Sequence, residues 1–427
     1  MMKNVMVTEK EDLLKHIGSY DEVIIWGAGN MGRVLGEKLL AMGMRITYYW
    51  DSDCGNIGTC NGIETRKPFT LSGNETSTLI ILAITNAFVL PGLHIELDQT
   101  GLDYLDGDQV YQILVCPQEL TSFDLRECYS RKECNVATCK KQSRLTYSLY
   151  GQDDKVFINT LDVYLTQKCS LRCKYCYIYE NSYPSDKKIN FSTDRIIKDI
   201  DLMCGAASYI KRLVPFGGEP FLHPEIDIII QKMANKENVG IIDLISNGIF
   251  NQPDNVLEKL KFDNVKINIS NYNHAIPEDL INIREKNINR MEEMGLNLVV
   301  HNDTPQWRKP GTFMDTKEDE LKLSEKKRNC GNFAYIASEE KDTTETMVVK
   351  NGLFFACQHC DTMYNLGVIE NMDDAILLDG KKEGKELAKE IKKLINKKYY
   401  EACRYCNPSV ELVDIAGEQG IDDRYLL

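Results

Sequence analysis

The chain lacks the features that mark exported, membrane-spanning or nucleic-acid-binding proteins. Residues 1–20 carry charges throughout and contain no apolar stretch, so we expect no signal peptide. The strongest apolar run, residues 78–85, is far shorter than the ~20 residues that span a bilayer. A formal charge of −13 without a concentrated basic stripe disfavours a nucleic-acid partner. We therefore expect a soluble, cytoplasmic protein that binds neither membranes nor nucleic acids.

Histidine is scarce in this chain, whereas cysteine is abundant. The six histidines show no metal-ligand spacing, and His359, which lies between two cysteines, is expected at the surface, with metal ligation as the alternative. Fifteen cysteines are unusual for a protein without an export signal, because disulfides are rare in a reducing compartment. Clustered cysteines in such proteins more often hold metal or carry out redox chemistry. The functional site is therefore sought among the cysteines.

Residues 1–115 alternate strand and helix patterns and predict a Rossmann-like, doubly wound domain. Strands of one parallel sheet are predicted at 22–26, 45–50, 78–85 and 110–115. A helix between the first two is predicted by the apolar residues Met31, Leu35 and Leu39. Residues 116–155 then form a polar connector. Its group of Cys128, Cys134 and Cys139 lacks a known ligand spacing and is interpreted as structural or incidental, with a third metal site as the alternative.

Residues 156–315 repeat a strand-then-helix rhythm. Strands are predicted at 157–165, 212–216, 241–245, 265–269 and 296–300. We expect an α/β fold in which this sheet curls into a partial (β/α)6 barrel, with the chemistry at the carboxyl ends of the strands. Residues 316–427 are expected to form a small cluster-binding extension. It contains a two-residue hairpin at Asn351-Gly352 and an amphipathic helix over 381–398.

Three cysteines, Cys169, Cys173 and Cys176, follow directly on the first predicted strand of the partial barrel. Thiolates at this spacing can bind three corners of a four-iron cluster from one tight loop. Such clusters normally take four protein thiolates, so three leave one iron open for a ligand. A structural zinc site and a set of unrelated buried thiols are the alternatives. Zinc fits less well than the cluster, because zinc usually pairs two Cys-x₂-Cys segments.

The pattern Cys-x₃-Cys-x-Tyr-Cys after a strand resembles the signature of the radical S-adenosylmethionine (SAM) superfamily. Further matches follow in the order of that family, each at the end of a predicted strand. Gly217-Gly218-Glu219-Pro220 resembles the motif that holds the methionyl amino group of the cofactor, with Glu219 facing the ammonium. The remaining positions that resemble cofactor-binding residues are Tyr175 beside the adenine, Ser246, Asn247, and Ser270 at the ribose.

This resemblance implies a [4Fe-4S] cluster, S-adenosylmethionine, and an oxygen-sensitive enzyme. A one-electron donor such as flavodoxin or ferredoxin would reduce the cluster, and reductive cleavage of the cofactor would yield a 5′-deoxyadenosyl radical that takes hydrogen from a small-molecule or peptide substrate. The cofactor carries the difficult chemistry, while the protein aims the radical and excludes competing reactions.

A second cysteine set lies beyond the predicted barrel. It resembles the auxiliary-cluster extension called twitch, a shortened relative of the SPASM domain, and that resemblance implies a second [4Fe-4S] cluster held by Cys330, Cys357, Cys403 and Cys406. Cys360 is surplus, which leaves open whether Cys357 or Cys360 is the ligand. A structural zinc bound by the pairs Cys357/Cys360 and Cys403/Cys406 is the competing interpretation.

The N-terminal region carries a glycine-rich loop of its own. Gly27, Gly29 and Gly32 have the G-x-G-x-x-G spacing, follow a predicted strand and open a predicted helix, as in dinucleotide-binding folds. Asp51 ends the second strand and could meet a ribose hydroxyl. The segment also resembles small Rossmann-like domains attached to sugar-modifying and glycosyltransferase proteins. It therefore leaves open a nucleotide, a nucleotide-sugar, NAD, or glycines that serve packing alone.

Taken together, these features lead to one main hypothesis and two alternatives. We expect a radical SAM enzyme that dehydrogenates or epimerises a saccharide or nucleotide-sugar. A peptide-modifying maturase is the first alternative, and a non-catalytic iron–sulfur redox or nucleotide sensor is the second. The Gly217–Glu219 and Ser270 matches speak against a sensor, which needs no cofactor cradle.

Overall fold

The computed structural model describes most of the chain and divides it into two compact units, residues 1–145 and 146–427. The described residues are 9–70, 77–84, 90–116, 127–128, 146–147, 149–301, 309–328, 330, 346–407, 411, 413 and 415–420. Cys134, Cys139 and Trp307, a residue that sequence alone suggests could face the substrate, lie outside these ranges. No helix within them combines the length and the hydropathy that a membrane span requires.

The first unit contains a six-stranded sheet in the order β3-β4-β2-β1-β5-β6. Its strands are β1 (Glu22–Trp26), β2 (Tyr48–Trp50), β3 (Thr59–Cys60), β4 (Ile63–Arg66), β5 (Thr78–Leu82) and β6 (Asp103–Asp106). All pairings are parallel except that of β3 with β4. The central strands β1 and β5 are almost wholly buried, which explains why they read as continuous apolar runs rather than alternating ones.

In the described part of this unit, the helices beside the sheet are α1 (Lys10–Ile17), α2 (Asn30–Ala41), α3 (Cys54–Ile57), α4 (Leu90–Thr100) and α5 (Gly107–Leu114). The helix predicted after the first strand is confirmed as α2, with Met31, Leu35 and Leu39 buried. The strand predicted at 110–115 is wrong, because these residues lie in and just after α5. Val110, Ile113 and Leu114 recur at helical spacing, and the neighbouring strand is β6 instead.

The second unit contains an eight-stranded sheet in the order β11-β10-β9-β8-β7-β13-β14-β15, and a separate antiparallel pair, β12 with β16. The strands are β7 (Val156–Thr166), β8 (Ala207–Gly217), β9 (Val239–Ser246), β10 (Val265–Ile269), β11 (Leu298–Val300), β12 (Thr312–Phe313), β13 (Met347–Lys350), β14 (Leu353–Phe355), β15 (Ala375–Leu377) and β16 (Cys406–Asn407). Strands β7 to β11 run parallel in sequence order, as the strand-then-helix rhythm predicts.

Among the residues that the structure describes in this unit, the main helices are α6 (Thr193–Ala206), α7 (Ile226–Ala234), α8 (Asp254–Leu257), α9 (Glu278–Glu293), α10 (Glu320–Arg328), α11 (Gln358–Asn365), α12 (Gly384–Ile395) and α13 (Glu401–Tyr405). The hairpin at Asn351-Gly352 is confirmed: both residues have positive φ, 46° and 88°, as a two-residue hairpin turn requires. Because β13 pairs with β7, this hairpin extends the same sheet. The helix predicted over 381–398 is confirmed as α12.

The two faces of this sheet differ in character. One face packs its aliphatic side chains against the helices and forms the main core, to which Leu161, Leu213 and Ile242 belong. Strand register places a different set on the opposite face: Asp162, Arg212, Asp243, Lys266 and Asn268. We call this set the polar face. Its residues lie on β7, β8, β9 and β10, before the carboxyl end of each strand.

Candidate active site

The three-cysteine loop starts where β7 ends. Thr166, the last residue of β7, accepts a hydrogen bond at its hydroxyl from the Lys168 amide at 3.0 Å, which turns the chain sharply out of the sheet. Cys169, Cys173 and Cys176 follow as free, half-buried thiols. Burial raises the pKa of the Cys176 thiol to about 12, and the neighbouring Cys173 thiolate adds to this shift. The protein alone therefore disfavours the thiolate form, and a bound metal would stabilise it.

Two glycines at the end of β8 bring the next motif against this loop. A β-carbon at Gly217, where φ is 139°, would lie 2.1 Å from the Thr166 carbonyl oxygen. A β-carbon at Gly218 would lie 2.3 Å from the Lys168 carbonyl oxygen and 2.8 Å from the Cys169 β-carbon. Only glycine permits so close an approach of two backbones. The amide of Glu219 then donates to the Lys168 carbonyl at 2.8 Å and joins the two loops.

Glu219 is buried behind these glycines and is held by the end of the next strand. Its Oε1 accepts hydrogen bonds from the Ser246 hydroxyl at 2.8 Å and the Phe221 amide at 3.1 Å, and its Oε2 accepts from the Asn247 amide at 2.8 Å. Burial raises the pKa of this carboxyl to about 7, although the three donors act to lower it. A carboxylate offers about four acceptor positions, so one position is left for a further donor such as an ammonium group.

Asn247 connects the end of β9 to the cysteine loop. Its side-chain amide exchanges hydrogen bonds with the Ser170 hydroxyl at 3.1 and 3.2 Å and donates to the Cys169 sulfur at 3.8 Å. The Leu171 amide also donates to the Cys169 sulfur, at 3.4 Å. Donors directed at a sulfur stabilise its thiolate form, which is the form that binds metal.

The remaining predicted cofactor residues lie around the same loop. The Ser270 amide, at the end of β10, donates to the Ser246 carbonyl at 2.9 Å. Burial raises the pKa of Tyr272 to about 12, with smaller contributions from the Cys173, Cys176 and Cys169 thiolates, so this phenol lies near all three cysteines. The Tyr175 ring is half-buried, and the Lys174 ammonium lies 5.3 Å from its centroid. Whether Tyr175 and Ser270 contact a bound cofactor stays a prediction.

The geometry agrees with the family comparison. The model of the Radical SAM superfamily matches residues 163–302, which contain the cysteine loop, the glycine pair and the ends of β8 to β11. Residues 163–302 therefore form a radical SAM domain. The family implies a [4Fe-4S] cluster and S-adenosylmethionine as cofactors, and an α/β fold.

Curated relatives match a limited stretch of the chain. The chain is 30% identical over 106 residues to molybdenum cofactor biosynthesis protein 1 of Dictyostelium discoideum, which covers 23% of this chain and 16% of the relative. It is 30% identical over 98 residues to GTP 3′,8-cyclase of Aquifex aeolicus, which covers 22% of this chain and 29% of the relative. The chain therefore spans less than a third of the length of either protein.

Solved structures of radical SAM enzymes resemble the chain more loosely. BtrN in complex with AdoMet and 2-DOIA has a TM-score of 0.33 at 13% identity, over 63% of this chain and 98% of BtrN. Native anSMEcpe with bound AdoMet has a TM-score of 0.35 at 12% identity, over 58% of this chain and 88% of that enzyme.

The residues of the radical SAM domain fit its cofactors. Three free thiols from one loop would hold the cluster, and two of their sulfurs, those of Cys169 and Cys173, accept hydrogen bonds from side-chain amides. The spare acceptor position of Glu219 suits the amino group of S-adenosylmethionine. In the described part of the chain, no three His, Cys, Asp or Glu side chains converge on a single metal position.

The second cysteine set lies within the same unit. Burial raises the pKa of the Cys406 thiol, and the thiolates of Cys357, Cys330 and Cys403 add to the shift, so these four predicted ligands are neighbours. Cys360 is fully buried beside Cys357 and stays an alternative ligand. A cluster, a zinc ion or neither at this set stays a prediction.

The surface position expected for His359 is wrong. Its ring lies 5.5 Å from the Tyr177 ring and 5.7 Å from the Phe313 ring, and its Nδ1 lies 3.2 Å from the Cys406 sulfur. Burial lowers the pKa of this imidazole to about 4, so the ring is neutral. These aromatic neighbours come from separate segments of the chain, and the spacing of two cysteines around a histidine does not disclose them.

The glycine-rich loop of the first unit has the predicted position between β1 and α2. Gly27 has φ of 114°, and a β-carbon at Gly32 would lie 1.8 Å from the Gly27 carbonyl oxygen, so both residues serve tight packing of helix on strand. Gly29 has open space beside it. Asp51 accepts hydrogen bonds from the Ala28 amide at 2.9 Å and the Asp53 amide at 3.0 Å. A nucleotide or NAD at this loop stays a prediction.

One functional contact has no local signal in the sequence. Residues 415–420 lie along the cysteine loop, and Cys173 forms an antiparallel bridge with Gln419. The Gln419 side-chain amide donates to the Cys173 sulfur at 3.5 Å. These two residues are 246 positions apart, and neither composition nor spacing around Gln419 marks it.

Proposed function

We propose that this chain is a radical SAM enzyme that removes a hydrogen atom from a polar small molecule, with a saccharide or nucleotide-sugar as the substrate class and dehydrogenation or epimerisation as the outcome. When bound, the cluster and S-adenosylmethionine supply a reductively generated carbon radical. The observation that carries the proposal is the junction of the cysteine loop with Gly218, Glu219 and Asn247.

The protein's own residues would hold and orient the cofactors. Cys169, Cys173 and Cys176 hold three corners of the cluster. Gly217 and Gly218 let the cysteine loop pack directly against the end of β8. Glu219 would accept a hydrogen bond from the cofactor's amino group at a carboxylate that the Ser246 hydroxyl and the Asn247 amide hold in place. Because these donors are already positioned, little reorganisation is needed when the cofactor binds.

The polar face supports the proposal that the substrate is hydrophilic. Arg212 donates through Nε to the Asp243 carboxylate at 2.7 Å, and the Asn268 amide donates to the other oxygen of the same carboxylate. His301, which follows β11, lies 3.3 Å from the Asn268 side-chain oxygen. Such a row of donors and acceptors suits the hydroxyl groups of a sugar, because a site built from buried polar groups rejects ligands that cannot pair with them.

Asp162 adds a buried acidic group to this face. Burial raises the pKa of its carboxyl to about 7, while the nearby Arg212 guanidinium lowers it. Its side chain is almost wholly buried. In the proposed complex this carboxyl pairs with a substrate hydroxyl.

The test uses anaerobically reconstituted protein, S-adenosylmethionine, dithionite and a panel of deuterated sugars, aminosugars and nucleotide-sugars, with deuterated peptides assayed in parallel. The proposal predicts deuterium in the released 5′-deoxyadenosine with at least one member of the panel, measured by mass spectrometry. Transfer only from peptides would contradict the substrate class and favour a maturase. Absence of 5′-deoxyadenosine under all conditions would contradict enzyme function altogether and favour a sensor.

A variant of the polar face separates substrate binding from cofactor cleavage. Asn268→Ala leaves the Asp243 carboxylate short of a donor, which costs about 1–3 kcal/mol in a buried site and lowers kcat/KM about 10- to 100-fold. Substrate-independent cleavage of S-adenosylmethionine should stay unchanged, because Asn268 lies two residues before Ser270 and below the cysteine loop. Equal losses in both assays would show that the polar face does not bind the substrate.

A further inference from the structure

The segment 415–420 forms a strap across the cysteine loop. The Lys174 amide donates to the Glu418 carbonyl at 2.7 Å, and the Gly420 amide donates to the Arg172 carbonyl at 2.8 Å. The Asn181 side-chain amide bridges the two segments, donating to the Cys173 carbonyl at 2.8 Å and to the Gly420 carbonyl at 3.1 Å. These main-chain contacts flank Cys173 on both sides and place the side chain of Gln419 next to its sulfur.

All hydrogen-bonding groups of the Gln419 amide are engaged. Its Oε1 accepts from the Arg172 amide at 2.7 Å, while its Nε2 donates to the Gly417 carbonyl at 2.5 Å and to the Cys173 sulfur at 3.5 Å. The backbone N–H of Arg172 can only donate, so it requires the oxygen of the Gln419 amide on its side. The NH₂ group is therefore directed at the sulfur, and the orientation of the amide is determined by its partners.

We propose that Gln419 is a positioning residue that raises the reduction potential of the cluster held by Cys173. The inference rests on the cluster that the radical SAM family implies. On reduction the cluster gains one electron, which a flavodoxin- or ferredoxin-type donor loses, and no covalent bond changes. The extra negative charge spreads onto the ligand sulfurs, so a donor at the Cys173 sulfur stabilises the reduced state more than the oxidised one.

The hydrogen bonds to the Cys169 sulfur come from other residues, so the effect of Gln419 on the potential can be measured by itself. The Cys169 sulfur accepts from the Leu171 amide and from Asn247, both within the family-matched segment. Gln419 lies outside that segment and approaches the loop from the end of the second unit. The strap thereby makes the ease of reduction depend on a part of the chain outside the family-matched segment.

Two substitutions test the proposal in the reconstituted full-length protein. Gln419→Glu keeps an oxygen for the Arg172 amide but turns a second, negatively charged oxygen toward the sulfur. Gln419→Leu removes both the donor and the acceptor without adding charge. The midpoint potential is measured by anaerobic redox titration with dithionite and mediator dyes, with the reduced cluster followed by electron paramagnetic resonance and the iron content of each sample determined.

The expected result for Gln419→Glu is about a tenfold lower ratio of reduced to oxidised cluster at a fixed potential, which corresponds to about 59 mV for one electron. Gln419→Leu should shift the potential in the same direction by a smaller amount. Glu418→Gln serves as the control: it removes the exposed ion pair with Lys174 but keeps the main-chain pairing. Its potential should stay unchanged or rise slightly.

Unchanged potentials in both Gln419 variants, with iron content equal to that of the wild type, would overturn the proposal. A rise in potential in Gln419→Glu would overturn it as well. Where Gln419→Glu fails to retain iron, Gln419→Leu carries the same test without an added charge. Failure of the wild type to assemble any cluster would instead contradict the radical SAM function, so the two failures are distinguishable.

Discussion

Substitution of Gly218 by alanine tests the junction that assembles the cofactor site. A β-carbon at this position would lie 2.3 Å from the Lys168 carbonyl oxygen and 2.6 Å from the Lys168 carbonyl carbon, both main-chain atoms that cannot rotate away. To restore an ordinary contact, the glycine loop must move by about 1 Å, and a displacement of this size costs about 100-fold in rate when it misplaces reacting groups. The hydrogen bond from the Glu219 amide to the Lys168 carbonyl would be lost or lengthened.

The assay for Gly218→Ala is the initial rate of 5′-deoxyadenosine formation after anaerobic reconstitution, with iron content measured in the same samples. We expect about a 100-fold lower rate with nearly normal iron content, because the cysteines themselves are unchanged. The overpacked junction should also lower the free energy of unfolding by about 1–3 kcal/mol.

Gly205→Ala is the matched control for this substitution. Gly205 is exposed in α6, where a β-carbon would meet only the Gly384 nitrogen at 4.0 Å. Alanine is favoured over glycine in a helix, so this variant should keep its rate and gain about 0.5–1 kcal/mol in stability. A Gly218→Ala variant with an unchanged rate would refute the close contact of the two loops.

Two further predictions concern the buried carboxyl of Glu219. Ser246→Ala removes the hydroxyl that donates to Glu219, so the free energy of unfolding measured with urea should fall by about 1–3 kcal/mol. Ser208→Ala is the control: the Ser208 hydroxyl makes only a 3.5 Å contact with the Val156 carbonyl, so the loss should be smaller. Burial raises the pKa of Glu219 to about 7, so the folded apoprotein holds a proton that the unfolded chain releases at lower pH. The free energy of unfolding should therefore fall by about 3 kcal/mol as the pH rises from about 4.5 to 7, and level off above that. Glu219→Gln should lack this slope, and an identical pH profile for the two proteins would contradict the assignment.

The parts of the site that sequence predicts well are those set by short-range spacing. Cys169, Cys173 and Cys176 lie within one stretch of eight residues. Gly218 lies so close to the cysteine loop that no side chain fits there, and a glycine at such a position is visible in the sequence. The hairpin at Asn351-Gly352 is equally local, because positive φ at two successive residues selects those amino acids.

The parts that sequence predicts poorly depend on distant segments or on ambiguous periodicity. Residues 110–115 form an apolar run that suits a strand or a helix, and only the presence of β6 beside β5 decides in favour of α5. His359 is enclosed by rings from other parts of the chain. The contact of Gln419 with Cys173 joins residues 246 positions apart, so only the folded chain reveals it.

The most direct measurement is the electron paramagnetic resonance spectrum of the dithionite-reduced protein with and without S-adenosylmethionine. If Cys169, Cys173 and Cys176 hold a cluster with one open iron, the wild-type signal should change when the cofactor is added. That cofactor-dependent signal should be absent from the Cys169→Ala, Cys173→Ala, Cys176→Ala triple variant. A wild-type spectrum unaffected by S-adenosylmethionine, or a cofactor-dependent signal that survives in the triple variant, would contradict the assignment of this loop.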